Sequence, residues 1–440
     1  MKSELVYYDI YPKIVPLRRE TVVHIRALSA HARFAAGVVH YVHIIPSDER
    51  SRDPHLPDYP ILELLPDENG SLAFPYTFTR EQTYQVWVET RGVRENLSGS
   101  WKDAACVKLR VYALEDDLFP LRPWRGNMHM HTCRSDGVET PDVVLAWYRR
   151  YGYDFAAVTD HGKYEPSLEG IAAYDGLKLN MKLLPGEEVH SPDNFIHIIN
   201  FGGDFSVNDL YRADEAAYRA RVAEIEKSLP DLGEGMCRFE VAASKWVFEN
   251  IRRANGLAIL CHPDWCWFGA YNLTSAMYRY FLENIQDYDV LELINGGNSP
   301  EENQMQVSAW YNSGLNGRRA IPEGSDDSHG AVNGKWFNIG KTYVLSPSLE
   351  RDDLVGSLRA GLCAAVEQYP GENSRIYGEK RMVNYFQFLH EEYFPLHNEL
   401  CVEEGRLMMA WRSGDETAKA RLEACFGQIE RLQNHLFGQE

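Results

Sequence analysis

The residues of this chain that could do chemistry are histidines and carboxylates, and they recur in one kind of place. His129 and His131 stand two apart in the strand expected over Asn127–Thr132, so both imidazoles leave the same face. Asp136 follows in the turn-forming Ser135-Asp136-Gly137. Two imidazoles and a carboxylate where a strand runs out are the start of a metal site. Further along come His161 in Asp160-His161-Gly162, Glu188 in Gly186-Glu187-Glu188, His197 within Phe195–Phe201, and His262 in Cys261-His262-Pro263. Asp327 and His329 close the series in Ser325-Asp326-Asp327-Ser328-His329.

A mixed histidine and carboxylate set suits Zn, Mn or Fe and not a soft thiolate site. These nine positions exceed what one ion takes. Two or three divalent metal ions, with a carboxylate bridging, would use them all. Neighbouring divalent ions lower the pKa of a shared water towards neutrality and neutralise charge that builds in a transition state. Attack on phosphorus, or on an ester, carbamate or amide carbonyl, is served equally. His161 or His329, where not committed to metal, is a candidate general acid.

The elements that must position these residues change character along the chain. Residues 1–115 read as β: Leu5–Val15, Thr21–Leu28, Val38–Pro46, Ser71–Phe78, Thr83–Thr90 and Ala105–Leu114 are rich in Val, Ile, Tyr and Thr, with turn clusters between them. This spacing predicts an immunoglobulin-like β-sandwich. His40 and His43 fall on opposite faces of their strand and are read as structural or surface residues and not as ligands. Residues 116–124, with two prolines and acidic residues, read as a linker. From 125 to 370, short apolar strands alternate with helices, and the metal-capable residues sit at or just beyond strand ends. That is where β/α barrels carry their sites, and a distorted seven-stranded barrel is the expected fold. Residues 371–440 read as a helical extension with an apolar stripe through Leu422, Ile429 and Leu436.

These motifs together resemble the PHP (polymerase and histidinol phosphatase) domain superfamily of metallohydrolases. The preceding β-sandwich and the form Gly324-Ser325-Asp326-Asp327-Ser328-His329 are similar to its carbaryl-hydrolase-type branch. The resemblance implies a (β/α)7 barrel with two or three metal ions. It implies that His129 and His131 bind one ion and that Asp136 and His161 are ligands. Asp160 would orient a ligand from behind, and Glu188 would bridge. His197 and His262 would serve a further site. The Asp-x-His of the family maps onto Asp327 and His329, with the extra Asp326 leaving a one-residue ambiguity.

Two substrate classes compete. A phosphate ester needs cations beside the metals, and Arg134 and Lys163 lie on the right loops, with Arg318 and Arg319 before the last one. An aryl or apolar carbamate, amide or ester would suit Trp265, Trp267, Phe268 and Tyr271 after His262, and Tyr164 near His161. The phosphoesterase is the first expectation and the carbon-centred hydrolase the second. An inactive metal-stabilised scaffold, or a β-sandwich that captures glycan or protein, are lesser alternatives.

Composition narrows the rest. A chain of 440 residues calls for more than one domain. A net charge of −19 argues against nucleic acid as the main partner, although bound metals would reverse the sign locally for a small-molecule substrate. No run is apolar enough to span a membrane, and Met1–Asp9 lacks the apolar stretch of a leader. Eight scattered cysteines without a CxxC pair fit free thiols in a reducing, cytoplasmic setting. The C-terminal helices and the β-sandwich are the surfaces offered for self-association into a homo-oligomer.

Overall fold

The computed structural model describes residues 3–49, 58–90, 106–314 and 319–439. Two compact units emerge. The first holds Met1–Leu121, Asn384–His397 and Gly427–Glu440; the second holds Arg122–Val383 and Asn398–Phe426. The protein is thus multidomain, with a β-rich N-terminal region and a helical C-terminal part.

In the first unit, Tyr8–Tyr11, Glu20–Ala27 and Leu72–Thr77 make an antiparallel sheet. A second sheet runs in the order Ile14–Pro16, Cys106–Leu114, Gln82–Thr90, His40–Pro46, Ile61–Leu64. Inward residues of both sheets share one core, including Ile10, Val23, Ile25, Phe74, Val42, Ile44, Val86 and Val111. The stretch expected as one strand over Leu5–Val15 is divided between a short helix, Ser3–Tyr7, and strands in both sheets. Pro12 falls at the division, where its missing N–H would interrupt a ladder. His43 is structural: it is buried, with its Nε2 2.9 Å from Glu89 Oε1. Residues 91–105, and with them Ala105, lie outside the described residues.

The second unit alternates strand and helix. The helix Pro141–Arg150 starts behind Thr140 with proline in its first turn, as its sequence predicts, and Gly152 follows it at φ 94°. One sheet runs in the order Lys182–Leu183, Phe155–Ala156, Arg122–Asn127, Gly340–Ser346, Cys363–Glu367, Arg375–Tyr377. The other runs Gly186–Val189, Ile198–Phe201, Leu257–Leu260, Val290–Asn295, Pro322–Ser325. Two isolated parallel bridges, Met130 to Ser328 and His161 to Glu188, join the sheets. Both bridges involve residues in, or next to, the expected metal motifs.

The helical C-terminal part is not one separate block. Residues 384–397 and 427–440 go with the first unit, where Lys13 Nζ donates to Glu392 Oε2 at 3.1 Å. Residues 398–426 go with the second. There Leu407, Met408, Ala418 and Leu422 join the core around Tyr148 and Tyr153, and buried Arg149 is held by Asp154 and Glu404. Among the described residues, no helix is long and apolar enough to cross a membrane.

Candidate metal centre

The ligand-type residues meet where the two sheets of the second unit are bridged. His129 and His131 lie just past the strand Arg122–Asn127 and not within its ladder. Their backbone is laced into neighbouring loops instead. His131 N donates to Ser328 O, Asp327 N to His129 O, and Thr159 N to Met130 O, at 2.8, 2.9 and 2.9 Å. Alternation then puts both imidazoles on one side and Met130 in the apolar core on the other. His197 precedes its strand and is not inside it. Because Ile198–Phe201 runs antiparallel to Gly186–Val189, its first residues lie opposite the end of the Glu188 strand. That brings His197 to the rim reached by the ends of the other strands.

Glu188 is the centre of the cluster. It is fully buried, and neither carboxylate oxygen accepts a hydrogen bond. Around it stand six histidines. His129 Nε2, His131 Nε2 and His262 Nε2 lie 3.7, 3.6 and 3.8 Å from its oxygens. His197 Nδ1 and His190 Nε2 lie at 2.8 and 3.3 Å, and His161 Nδ1 is closer still. Among the described residues, the groups that can converge on one point include His131, Asp136, His161 and His329; His129, His131 and Asp327; and His129, Glu188 and His262. Shared members make these positions adjacent.

Neighbours fix the orientation of two of these rings. His129 Nδ1 donates to Glu292 Oε1 at 2.9 Å, and His329 Nδ1 donates to the Asp327 carbonyl at 2.8 Å. Each contact turns the other nitrogen, Nε2, into the cluster as a lone-pair donor. The neighbouring aspartates divide cleanly. Asp327 Oδ1 faces His131 Nε2 at 3.0 Å and His129 Nε2 at 3.4 Å. Asp326 turns away and accepts from the backbone N–H groups of Asn338, Ile339 and Gly340 and from Tyr148 Oη. Asp327 and His262 both have positive φ, 50° and 23°, a strained backbone held at the site.

The charge balance fits divalent cations. Burial alone would raise Glu188, yet the His161, His197 and His190 rings hold its carboxyl well below the usual range. Burial opposes charge on His161, but Glu188 and Asp136 outweigh it and push the imidazole up to about 11. Burial drives His131 and His197 down to about 4, leaving them neutral donors near pH 7. Orphaned buried carboxylate oxygens, neutral imidazoles and hard or borderline donors fit divalent Zn, Mn or Fe.

No family model matches the chain. A stretch of 129 residues, 28% of this chain, is 28% identical to DNA polymerase III PolC-type from Streptococcus mutans and spans 9% of that protein. Three solved structures are similar in part. A two-domain protein from Bacteroides vulgatus containing a predicted PHP-like metal-dependent phosphoesterase is 16% identical, with a TM-score of 0.37, covering 56% of this chain and 66% of its own. A candidate metal-dependent phosphoesterase from Bifidobacterium adolescentis is 21% identical, with a TM-score of 0.35, covering 54% and 96%. An amidohydrolase from Chromobacterium violaceum is 17% identical, with a TM-score of 0.32, covering 56% and 99%.

Within the second unit, three expected residues stand elsewhere than the metal cluster. Arg134 is exposed, and its guanidinium grips Glu169 through Nε and Nη2 at 2.8 and 2.7 Å. Lys163 donates to the Arg134 carbonyl. Asp160 does not contact His161 through its carboxylate. It accepts from Thr132 N at 2.8 Å, Thr132 Oγ1 at 2.7 Å and Ser135 Oγ, and so shapes the loop that carries Asp136. The Trp267 side chain and the whole of Arg318 lie outside the described residues. Two participants escape sequence reasoning. Glu292 hides in the apolar strand Val290–Asn295, where a carboxylate among apolar residues was the available signal. His190 follows Glu188 by two, the same alternation that marks His129 and His131.

Proposed function

We propose that the protein is a metal-dependent hydrolase, and that its second unit is a distorted (β/α)7 barrel of the PHP type. The ring would comprise Arg122–Asn127, Phe155–Ala156, Gly186–Val189, Ile198–Phe201, Leu257–Leu260, Val290–Asn295 and Pro322–Ser325. What supports closure is the pair of bridges, Met130 to Ser328 and His161 to Glu188, which supply the two missing neighbours. The observation that carries the activity is Glu188, a buried carboxylate with no hydrogen-bond donor inside a shell of six histidines.

His129, His131, Asp136, His161, Glu188, His197, His262, Asp327 and His329 would hold two or three ions. When bound, divalent ions lower the pKa of water and polarise an electrophilic oxygen. The chain's own contribution is to fix the donors. Glu292 and the Asp327 carbonyl orient His129 and His329, and Asp160 holds the Asp136 loop. His161 faces Asp136 with one nitrogen and Glu188 with the other, and His329 is similarly occupied by Asp136 and the Asp327 carbonyl. In this reading both rings are ligands, and a proton for the leaving group comes from solvent.

A phosphate monoester is the first substrate class. Adjacent cation positions that share His129 and His131 suit a phosphoryl group with several charged oxygens. A specific feature favours aryl carbamates or amides as the second class. Trp265 packs on His197 and His262 with ring centroids 5.8 and 5.4 Å away, and Trp336 packs on His329 at 4.9 Å. The deciding experiment loads the protein with Mn²⁺ or Zn²⁺ and offers p-nitrophenyl phosphate, a phosphodiester, an aryl carbamate and an anilide. Phosphate release is the expected result. Turnover of the carbamate or anilide alone moves the assignment to carbon, and no turnover of any substrate overturns the hydrolase.

A further inference from the structure

We infer that His190 is an additional metal ligand, completing a cation position with Glu188, His161 and His197. The inference rests on the reading that the cluster holds divalent ions. Glu188 and His190 are two apart, so both side chains leave one face of the chain while Val189 enters the core. His190 Nε2 lies 3.3 Å from Glu188 Oε2 and 3.0 Å from His161 Nδ1. Its ring centroid is 4.4 Å from that of His197 and 4.7 Å from that of His161. The His190 and His161 rings therefore meet at 76°, with a nitrogen of each beside a carboxylate oxygen that accepts no hydrogen bond.

His190 is also fixed from behind. Its backbone N–H donates to Asn208 Oδ1 at 3.1 Å, and the Asn208 amide donates to the Glu188 carbonyl at 3.2 Å and to Glu187 Oε2 at 2.7 Å. One asparagine thus sets the backbone of both Glu188 and His190. His190 remains about one-third exposed, so this position would be the one nearest solvent.

The test strips the full chain with chelator and titrates Co²⁺, measuring equivalents bound by elemental analysis and the visible absorption of the bound ion. Wild type is compared with His190→Ala and His190→Gln, with circular dichroism as a check on folding. Both variants should lose about one equivalent, or bind the weakest ion at least about tenfold less tightly, with the other equivalents kept. Unchanged stoichiometry and affinity in the folded variants would overturn the assignment and leave His190 as a hydrogen-bond partner of His161. Wild type binding well under one equivalent would overturn the metal centre itself.

Discussion

His129 donates from Nδ1 to Glu292 Oε1 at 2.9 Å, across 163 positions of sequence, and this contact decides which nitrogen faces the cluster. Glu292 reaches further: its other oxygen accepts from the His262 backbone N–H at 2.9 Å and from Asn295 Nδ2 at 3.0 Å. One carboxylate therefore holds two ligand-bearing segments. Glu292→Gln should weaken metal binding by about 10–100-fold, the usual cost of an outer-sphere change, with the fold intact. Competition titration against a chromogenic chelator measures this, and unchanged affinity would remove Glu292 from the site.

Glu188 itself should matter more. Glu188→Gln replaces a buried carboxylate that draws six histidines together with a neutral amide, which is a much weaker ligand for a divalent ion. Metal content should fall by at least one equivalent, and hydrolysis should drop by more than the ~100-fold of an outer-sphere change. A metal-replete variant with near-normal turnover would contradict the central role of this residue.

Arg134 should matter little. Its guanidinium is exposed and already occupied by Glu169. Arg134→Ala should leave KM for phosphate esters unchanged and thermal stability nearly so. A tenfold or larger rise in KM, confined to phosphate substrates, would restore Arg134 as a phosphate clamp.

Metal should stabilise the fold, because the ligands come from segments that meet only in the native state. Ions at a hundredfold excess over Kd should add about 2.7 kcal/mol per site. Chelator should therefore lower Tm, and Mn²⁺ or Zn²⁺ should restore it in a concentration-dependent way. A Tm that ignores both would argue for a structural histidine cluster.

Lys341 supplies a pH dependence away from the metal ligands. Burial, helped by the Arg125 charge, pulls its ammonium down to about 7 from an ordinary 10.5. Between those values the unfolded chain holds a proton that the folded chain has lost. Wild-type stability should therefore rise with pH across that window, and the penalty is fully present below it. Lys341→Met lacks the effect, so the stability of wild type relative to the variant should climb from pH 7 to 10. Parallel pH profiles for the two proteins would contradict the depressed value.

Much of the site is legible in the linear order of residues, because strand alternation and strand ends leave local signatures. His129 and His131 share a face by spacing alone, and apolar runs ending in ligand-type residues mark a rim of strand ends. Adjacent carboxylates are harder. Glu187 accepts from Asn200, Ser206, Val207 N–H and Asn208, whereas Glu188 has no such donors and faces the histidines. Neighbouring residues on a strand must point to opposite sides, but spacing does not say which side is the interior.

The sequence by itself determined the donor chemistry of this protein: imidazoles and carboxylates, placed where apolar strands stop. Tertiary structure decided which members of each pair meet. It put Asp327 at the histidines and Asp326 on backbone amides, and brought Glu292 and His190 into the cluster. It carried His197 to the rim by reversing a strand, and gave Arg134 to Glu169. The physical reason is the same throughout. Local pattern sets the direction of a side chain relative to its own strand, while its partners come from segments far away in sequence that only the folded chain brings within a few ångströms.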